Sequence, residues 1–125
     1  MSDIEGIIED AFERRSEFSP HSAPDDVRQA VDQALAALDD GSARVAERLG
    51  VGDWQVNQWL KKAVLLSFRL KANQPICGDF TQYFDKVDLK FAHYAEEDFR
   101  EGGMRVVPPA VARHGSYVGP NVVLM

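Results

Sequence analysis

The sequence predicts an α+β fold: a helical and mixed N-terminal domain over residues 1–110, then the first, incomplete coil of a parallel β-helix over residues 111–125. Three observations carry this reading. Apolar residues recur at helical spacing through the first forty residues and again over 58–70. Stretches near 43–56 and 87–91 alternate with the period of strands. Ala112, Val118 and Leu124 recur every six residues, with Ser116 and Val122 four places after the first two and Gly119 following Val118. That is the hexapeptide pattern in which six residues form one flat side of a triangular prism.

The elements follow in order. Ser2 and Glu5 have capping-box spacing, and Ile4, Ile7, Ile8, Ala11 and Phe12 make one apolar stripe behind them. Pro20 and Pro24 interrupt this helix. A second helix is expected with Ser22 or Ala23 as its cap, Pro24 in its first turn, and Asp25 and Asp26 at the positive end of its dipole. Val27, Ala30, Val31, Ala34, Leu35 and Leu38 form its apolar face, and Gly41 is its stop signal.

Residues 43–48 alternate as a half-exposed strand, Gly50-Val51-Gly52-Asp53 reads as a turn, and Trp54-Gln55-Val56 reads as the return strand. Asn57 is positioned to cap a helix from Gln58 to about Leu70, which should be the most buried element because little of its surface is polar. Asn73-Gln74-Pro75 ends that segment. Val87, Leu89 and Phe91 alternate with Lys86, Asp88 and Lys90, which predicts a strand. Ala95 to Arg100 should form a short acidic helix broken by Gly102-Gly103, and Pro108-Pro109 keeps the following stretch extended.

Composition narrows the function classes. The 125 residues suffice for one domain, and 45% hydrophobic with 27% charged residues argues for a real core. A formal net charge of −6 is a poor footing for gripping nucleic acid or anionic lipid through bulk charge. The longest apolar run, Ala63 to Leu66, is far short of the ~18 residues that suggest a membrane span. No secretory signal pattern opens the chain, and a lone Cys77 forms no internal disulfide. A soluble, cytoplasmic protein without membrane or nucleic-acid partners is expected.

One motif points elsewhere. Ala43 to Lys62 matches a helix-turn-helix, with Gln55, Asn57, Gln58, Lys61 and Lys62 on the candidate recognition helix. Two basic residues and two tryptophans on that helix, in an acidic chain, speak against DNA binding. The secondary structure of Ala43 to Leu49 separates the two readings, since DNA binding requires a helix there. Metal and catalytic constellations are missing: His21, His93, His114 and Cys77 have no ligand spacing, and there is no phosphate loop or nucleophile elbow. The two hexapeptides supply less than one coil, and one coil leaves its next edge unpaired. Either the match is fortuitous or the chain is the front of a longer protein.

Several blocks occur in a telling order: Ala11-Phe12-Glu13-Arg14-Arg15, Arg44-Val45-Ala46-Glu47, the run from Gln58 to Arg69, Tyr83-Phe84-Asp85-Lys86-Val87, and Met104-Arg105-Val106-Val107-Pro108-Pro109. Together they resemble the N-terminal part of the tetrahydrodipicolinate N-succinyltransferases, acyltransferases of bacterial lysine (diaminopimelate) biosynthesis. The resemblance covers essentially the whole chain. It implies a left-handed β-helix continuing beyond residue 125, a homotrimer, and succinyl transfer from succinyl-CoA to the amine of ring-opened tetrahydrodipicolinate. It further implies that Arg105 binds the dicarboxylate acceptor, as a planar guanidinium fork suits a carboxylate. The coenzyme A site and the acid/base carboxylates fall beyond this chain by the same resemblance. No catalytic, cofactor-binding or metal-binding residue is therefore assigned within it, and the chain alone should be inactive.

Overall fold

Three amphipathic helices close on one another because each carries a single apolar stripe. The computed structural model describes residues 2–125, and the side chain of Ser2, on which the expected capping box rests, lies outside what it describes. Helices α1 (Ser2–Glu13), α2 (Asp25–Asp40) and α3 (Gln58–Leu70) pack pairwise. Their shared core holds Ile8 and Ala11 from α1, Val27, Ala30, Val31, Ala34 and Leu38 from α2, and Leu60, Ala63, Leu66 and Leu70 from α3, with Phe18 sealing one end. Each fully buried Leu or Ile contributes about 1.5–3 kcal/mol through burial. Lys62 Nζ reaches Glu9 Oε2 at 2.6 Å and ties α3 to α1.

The ends of α2 differ in how they match expectation. Gly41 ends it with φ 83°, its N–H donating to Leu38 O at 3.3 Å. At the start, neither Ser22 nor Ala23 is the cap: Pro24 occupies that position, with no side-chain capping hydrogen bond. The Ser22 hydroxyl is engaged in the preceding turn, where it accepts from the Ser19 N–H at 3.0 Å.

Between α2 and α3 the chain forms an antiparallel hairpin of β1 (Ala46–Gly50) and β2 (Asp53–Val56), pairing Ala46 with Val56 and Arg48 with Trp54. The strand begins three residues later than the alternation suggests. A strand at Ala46–Gly50 also overturns the helix-turn-helix reading, because the first helix of that motif does not exist. Asn57 precedes α3 as expected, but its amide makes no capping bond. It donates to Arg44 O at 2.7 Å and accepts from Gln55 Nε2 at 3.0 Å, which closes the foot of the hairpin instead. As expected, α3 leaves least of itself exposed: only Gln58, Lys61, Leu65 and Arg69 are exposed, against seven residues of the longer α2, while Trp59 and Val64 lie half-buried at the rim.

The middle of the chain departs furthest from the sequence reading. Gln74-Pro75 does not simply end a segment: β3 (Gln74–Cys77) pairs antiparallel with β4 (Gln82–Asp85). Each strand of a two-stranded sheet is an edge, where the missing N–H of Pro75 is tolerated. The strand expected over 87–91 is absent. Leu89 makes only an isolated bridge to Arg113, flanked by Lys90 N–H to Ala112 O at 2.9 Å and His114 N–H to Asp88 O at 2.8 Å. Lys90 turns inward to the end of α2, and Phe91 gathers with Tyr94 and Phe99 at ring separations of 5.0 and 5.5 Å, so the segment curls into turns.

Helix α4 (Glu96–Gly102) opens with Asp98 Oδ2 accepting from the Ala95 N–H at 2.7 Å and stops at Gly103, φ 70°. Strands β5 (Arg105–Val106) and β6 (Val123–Leu124) then pair in parallel, Arg105 with Val123 and Val106 with Leu124. The paired residues are eighteen apart, the length of three hexapeptides. The described residues thus form a mixed α and β fold with four α-helices and three two-stranded sheets.

Candidate functional site

Arg105 is presented by the fold rather than absorbed into it. Gly103 ends α4 in the left-handed conformation and feeds directly into β5. The strand is held on both sides of the arginine: its own N–H donates to Val122 O at 2.9 Å, and the Val107 N–H donates to Leu124 O at 2.9 Å. Alternation then decides direction. Val106 and Leu124 turn inward and are half-buried, whereas Arg105 and Val123 share the outward, exposed face.

The Arg105 guanidinium makes no hydrogen bond and no ion pair among the described residues, unlike Arg14, Arg100 and Arg113, each of which pairs with a carboxylate. A guanidinium carries five N–H donors in a rigid fork and stays charged at all working pH values. An exposed fork on a backbone pinned from both sides is chemically competent to hold a carboxylate bidentately.

The other sequence candidates are not brought together. Cys77 is exposed in β3, His21 and His93 are exposed in separate turns, and His114 Nδ1 lies 3.6 Å from Asp39 Oδ1. No group of three or more His, Cys, Asp or Glu side chains among the described residues is arranged to hold a metal ion. The residues proposed to read DNA are likewise scattered: Gln55 lies in β2, Asn57 is bonded to the hairpin foot, and Lys62 points inward to Glu9.

Two features escaped sequence reasoning. One is a half-buried cluster in which Asp39 meets Lys90 at 3.0 Å, His114 at 3.6 Å and the Gly115 N–H at 2.9 Å. The other is a cleft of about 540 Å³ between α2, α3 and the segments 86–88 and 113–116, with a neighbouring hollow of about 400 Å³ beside β3. Arg105 borders neither. Their linings come from separate stretches of chain, so no local spacing announces them.

Comparison with known proteins bears on the whole chain. A family model described as tetrahydrodipicolinate N-succinyltransferase N-terminal matches residues 3–70. The chain is 59% identical over 125 residues to a 2,3,4,5-tetrahydropyridine-2,6-dicarboxylate N-succinyltransferase of Aromatoleum aromaticum, covering 100% of this chain and 45% of that protein. Proteins of the same name from Acinetobacter baylyi and Alkalilimnicola ehrlichii are 58% identical over 125 residues and 62% identical over 121. They are matched over 45% and 44% of their lengths, by 100% and 97% of this chain. The chain thus spans less than half the length of these relatives.

Proposed function

The chain belongs to the tetrahydrodipicolinate N-succinyltransferase family, matching its N-terminal part, and on that premise we propose that it serves the whole protein by holding the dicarboxylate acceptor through Arg105. The observation that carries this reading is the exposed Arg105 guanidinium, without a partner among the described residues, on a strand pinned to β6.

In the reaction proposed for the whole protein, the acceptor is the ring-opened form of tetrahydrodipicolinate and the donor is succinyl-CoA. The amine lone pair attacks the thioester carbonyl carbon. The new C–N bond forms, the C–S bond breaks as the tetrahedral intermediate collapses, and coenzyme A departs as its thiol. The amine proton must pass to a base, and the transient oxyanion needs hydrogen-bond donors. Both lie in the remainder of the protein in this reading. What Arg105 supplies is orientation: a bidentate grip on one carboxylate restricts rotation of the acceptor and aims its amine at the thioester.

The assembly proposed for it is a homotrimer in which the β5–β6 pair begins a left-handed β-helix. The eighteen-residue parallel offset supports that reading, and the proposed location is the cytoplasm. Among the described residues no helix is long and apolar enough to cross a membrane.

The test is Arg105→Ala in the whole protein, assayed with each substrate varied in turn. The acceptor kcat/KM should fall by about thirtyfold or more, since truncating one partner of such a charge pair costs about 2–5 kcal/mol. The KM for succinyl-CoA should hold steady. Arg105→Lys should fall between, because it keeps the charge and loses the fork. An unchanged acceptor kcat/KM in Arg105→Ala removes Arg105 from the site.

A further inference from the structure

The cleft between α2 and α3 has the features of a second ligand site. Its volume of about 540 Å³ is in the range of small-molecule pockets. Its floor is apolar, built by Val31 and Leu35 from α2 and by Val64 and Phe68 from α3. Its rim reverses the sign of the protein: Arg28, Lys71, Lys86 and Arg113 outnumber Asp32 and Asp88 there, in a chain of net charge −6.

Three of the four rim cations are already engaged. Arg28 donates from Nη1 to Leu70 O at 2.9 Å and from Nη2 to Pro20 O, at the turn before α2. Lys71 Nζ pairs with Asp88 Oδ2 at 2.7 Å, and Arg113 Nη2 with Asp85 Oδ2 at 3.2 Å. Lys86 makes no hydrogen bond or ion pair among the described residues, although it is half-buried. It also borders the neighbouring hollow of about 400 Å³, so it stands at the seam of the two spaces. Lys86 is thus the rim cation left without a partner among the described residues, and an anion entering the cleft supplies one. Asp32 on the same rim limits the charge: a second negative group on the ligand would meet its carboxylate.

We infer that this cleft binds a monoanionic amphiphile, a medium-chain carboxylate whose alkyl chain lies on the Leu35–Phe68 floor and whose carboxylate meets Lys86 Nζ. The site is independent of Arg105, whose acceptor is a compact dianion that the apolar floor does not suit.

The test is a titration of the isotope-labelled whole protein with sodium octanoate, kept below its micelle concentration, followed by amide NMR shifts, with 1-octanol as the uncharged match. Octanoate should give saturable shifts centred on Leu35, Phe68 and Lys86. It should bind about tenfold more tightly than octanol, the difference one charge-assisted contact supplies. Lys86→Gln should bring octanoate down to the octanol level and leave octanol unchanged, and Lys86→Arg should retain octanoate binding. Three outcomes overturn the proposal: no saturable shifts at these residues, equal affinity for the two probes, or octanoate affinity unchanged in Lys86→Gln. Activity of the whole protein plays no part in the readout, so this result stands or falls separately from the role of Arg105.

Discussion

Lys90 Nζ lies 3.0 Å from Asp39 Oδ1 and 3.0 Å from the Asp39 carbonyl oxygen, with its side chain only 5% exposed. One ammonium thereby neutralises a carboxylate and satisfies a carbonyl in the last turn of α2, where the helix dipole favours a cation. The same Asp39 Oδ1 accepts from the Gly115 N–H at 2.9 Å, so this pair joins α2 to the segment that leads toward β6.

The two halves of that pair should not be equivalent. Asp39→Ala leaves the buried ammonium its main-chain carbonyl but no counter-charge, and should destabilise the fold by about 3 kcal/mol, in the manner of a broken buried ion pair. Lys90→Met keeps the packed stem, leaves Asp39 bonded to Gly115, and should cost less, about 1–2 kcal/mol. Urea denaturation midpoints decide it, and the reverse order would show that the carboxylate, not the ammonium, is the group that depends on the pair.

Gly41 couples two requirements. Its φ of 83° disfavours any side chain, and a Cβ there would stand 2.6 Å from Tyr117 Cδ1. Gly41→Ala should therefore lose the backbone cost of about 1–2 kcal/mol plus a steric contribution. Removing the ring with Tyr117→Ser should recover the second part alone. A double-mutant cycle on thermal unfolding checks this, and strict additivity of the two changes would mean that the ring and the glycine are uncoupled.

Asp40 titrates below the ordinary carboxylate range. The Ser42 side chain beside it is the leading cause, and the Ser42 backbone N–H, which donates to Asp40 Oδ1 at 2.8 Å, is the second. A depressed folded-state pKa contributes stability that is present above the unfolded carboxylate value and is lost as pH falls through the folded one. The stability difference between wild type and Asp40→Asn should accordingly be constant near neutrality and shrink under acid. Denaturation curves across the acid range measure it, and a difference that persists unchanged once Asp40 is protonated counts against the Ser42 contacts as its source.

Core and hairpin should respond in opposite ways. Leu66 is 0% exposed at the meeting of the three helices, so Leu66→Ala should cost about 2–5 kcal/mol. Trp54 is larger yet 60% exposed on β2, and Trp54→Ser should stay within about 0.5 kcal/mol in this chain. Comparable losses at both positions would place the hairpin in the cooperative core.

The three long helices, the Ala46–Val56 hairpin and the stop at Gly41 were legible in the sequence, because an apolar stripe, an alternating pair of strands and a glycine end are written in neighbouring residues. The segment 87–91 shows the limit of that information. Its alternation is that of a strand, but Lys90 finds a carboxylate and a carbonyl on α2, fifty-one residues away, and that attraction outweighs the local period. The β3–β4 hairpin was missed for a related reason: a proline inside it reads as a stop until the sheet is known to have only edges.

The site divides in the same way. Membership of the family, and with it the interest of Arg105, came from short blocks of residues that sequence alone displays. Tertiary structure decided that Arg105 points outward without a partner among the described residues, through a parallel register with Val123 that no local pattern encodes. It likewise decided that Lys86, unpaired among the described residues, borders a cleft whose walls come from distant stretches of chain. Periodicity determines which face of an element turns inward. Which charges find partners depends on distances across the fold, and only the assembled chain sets those.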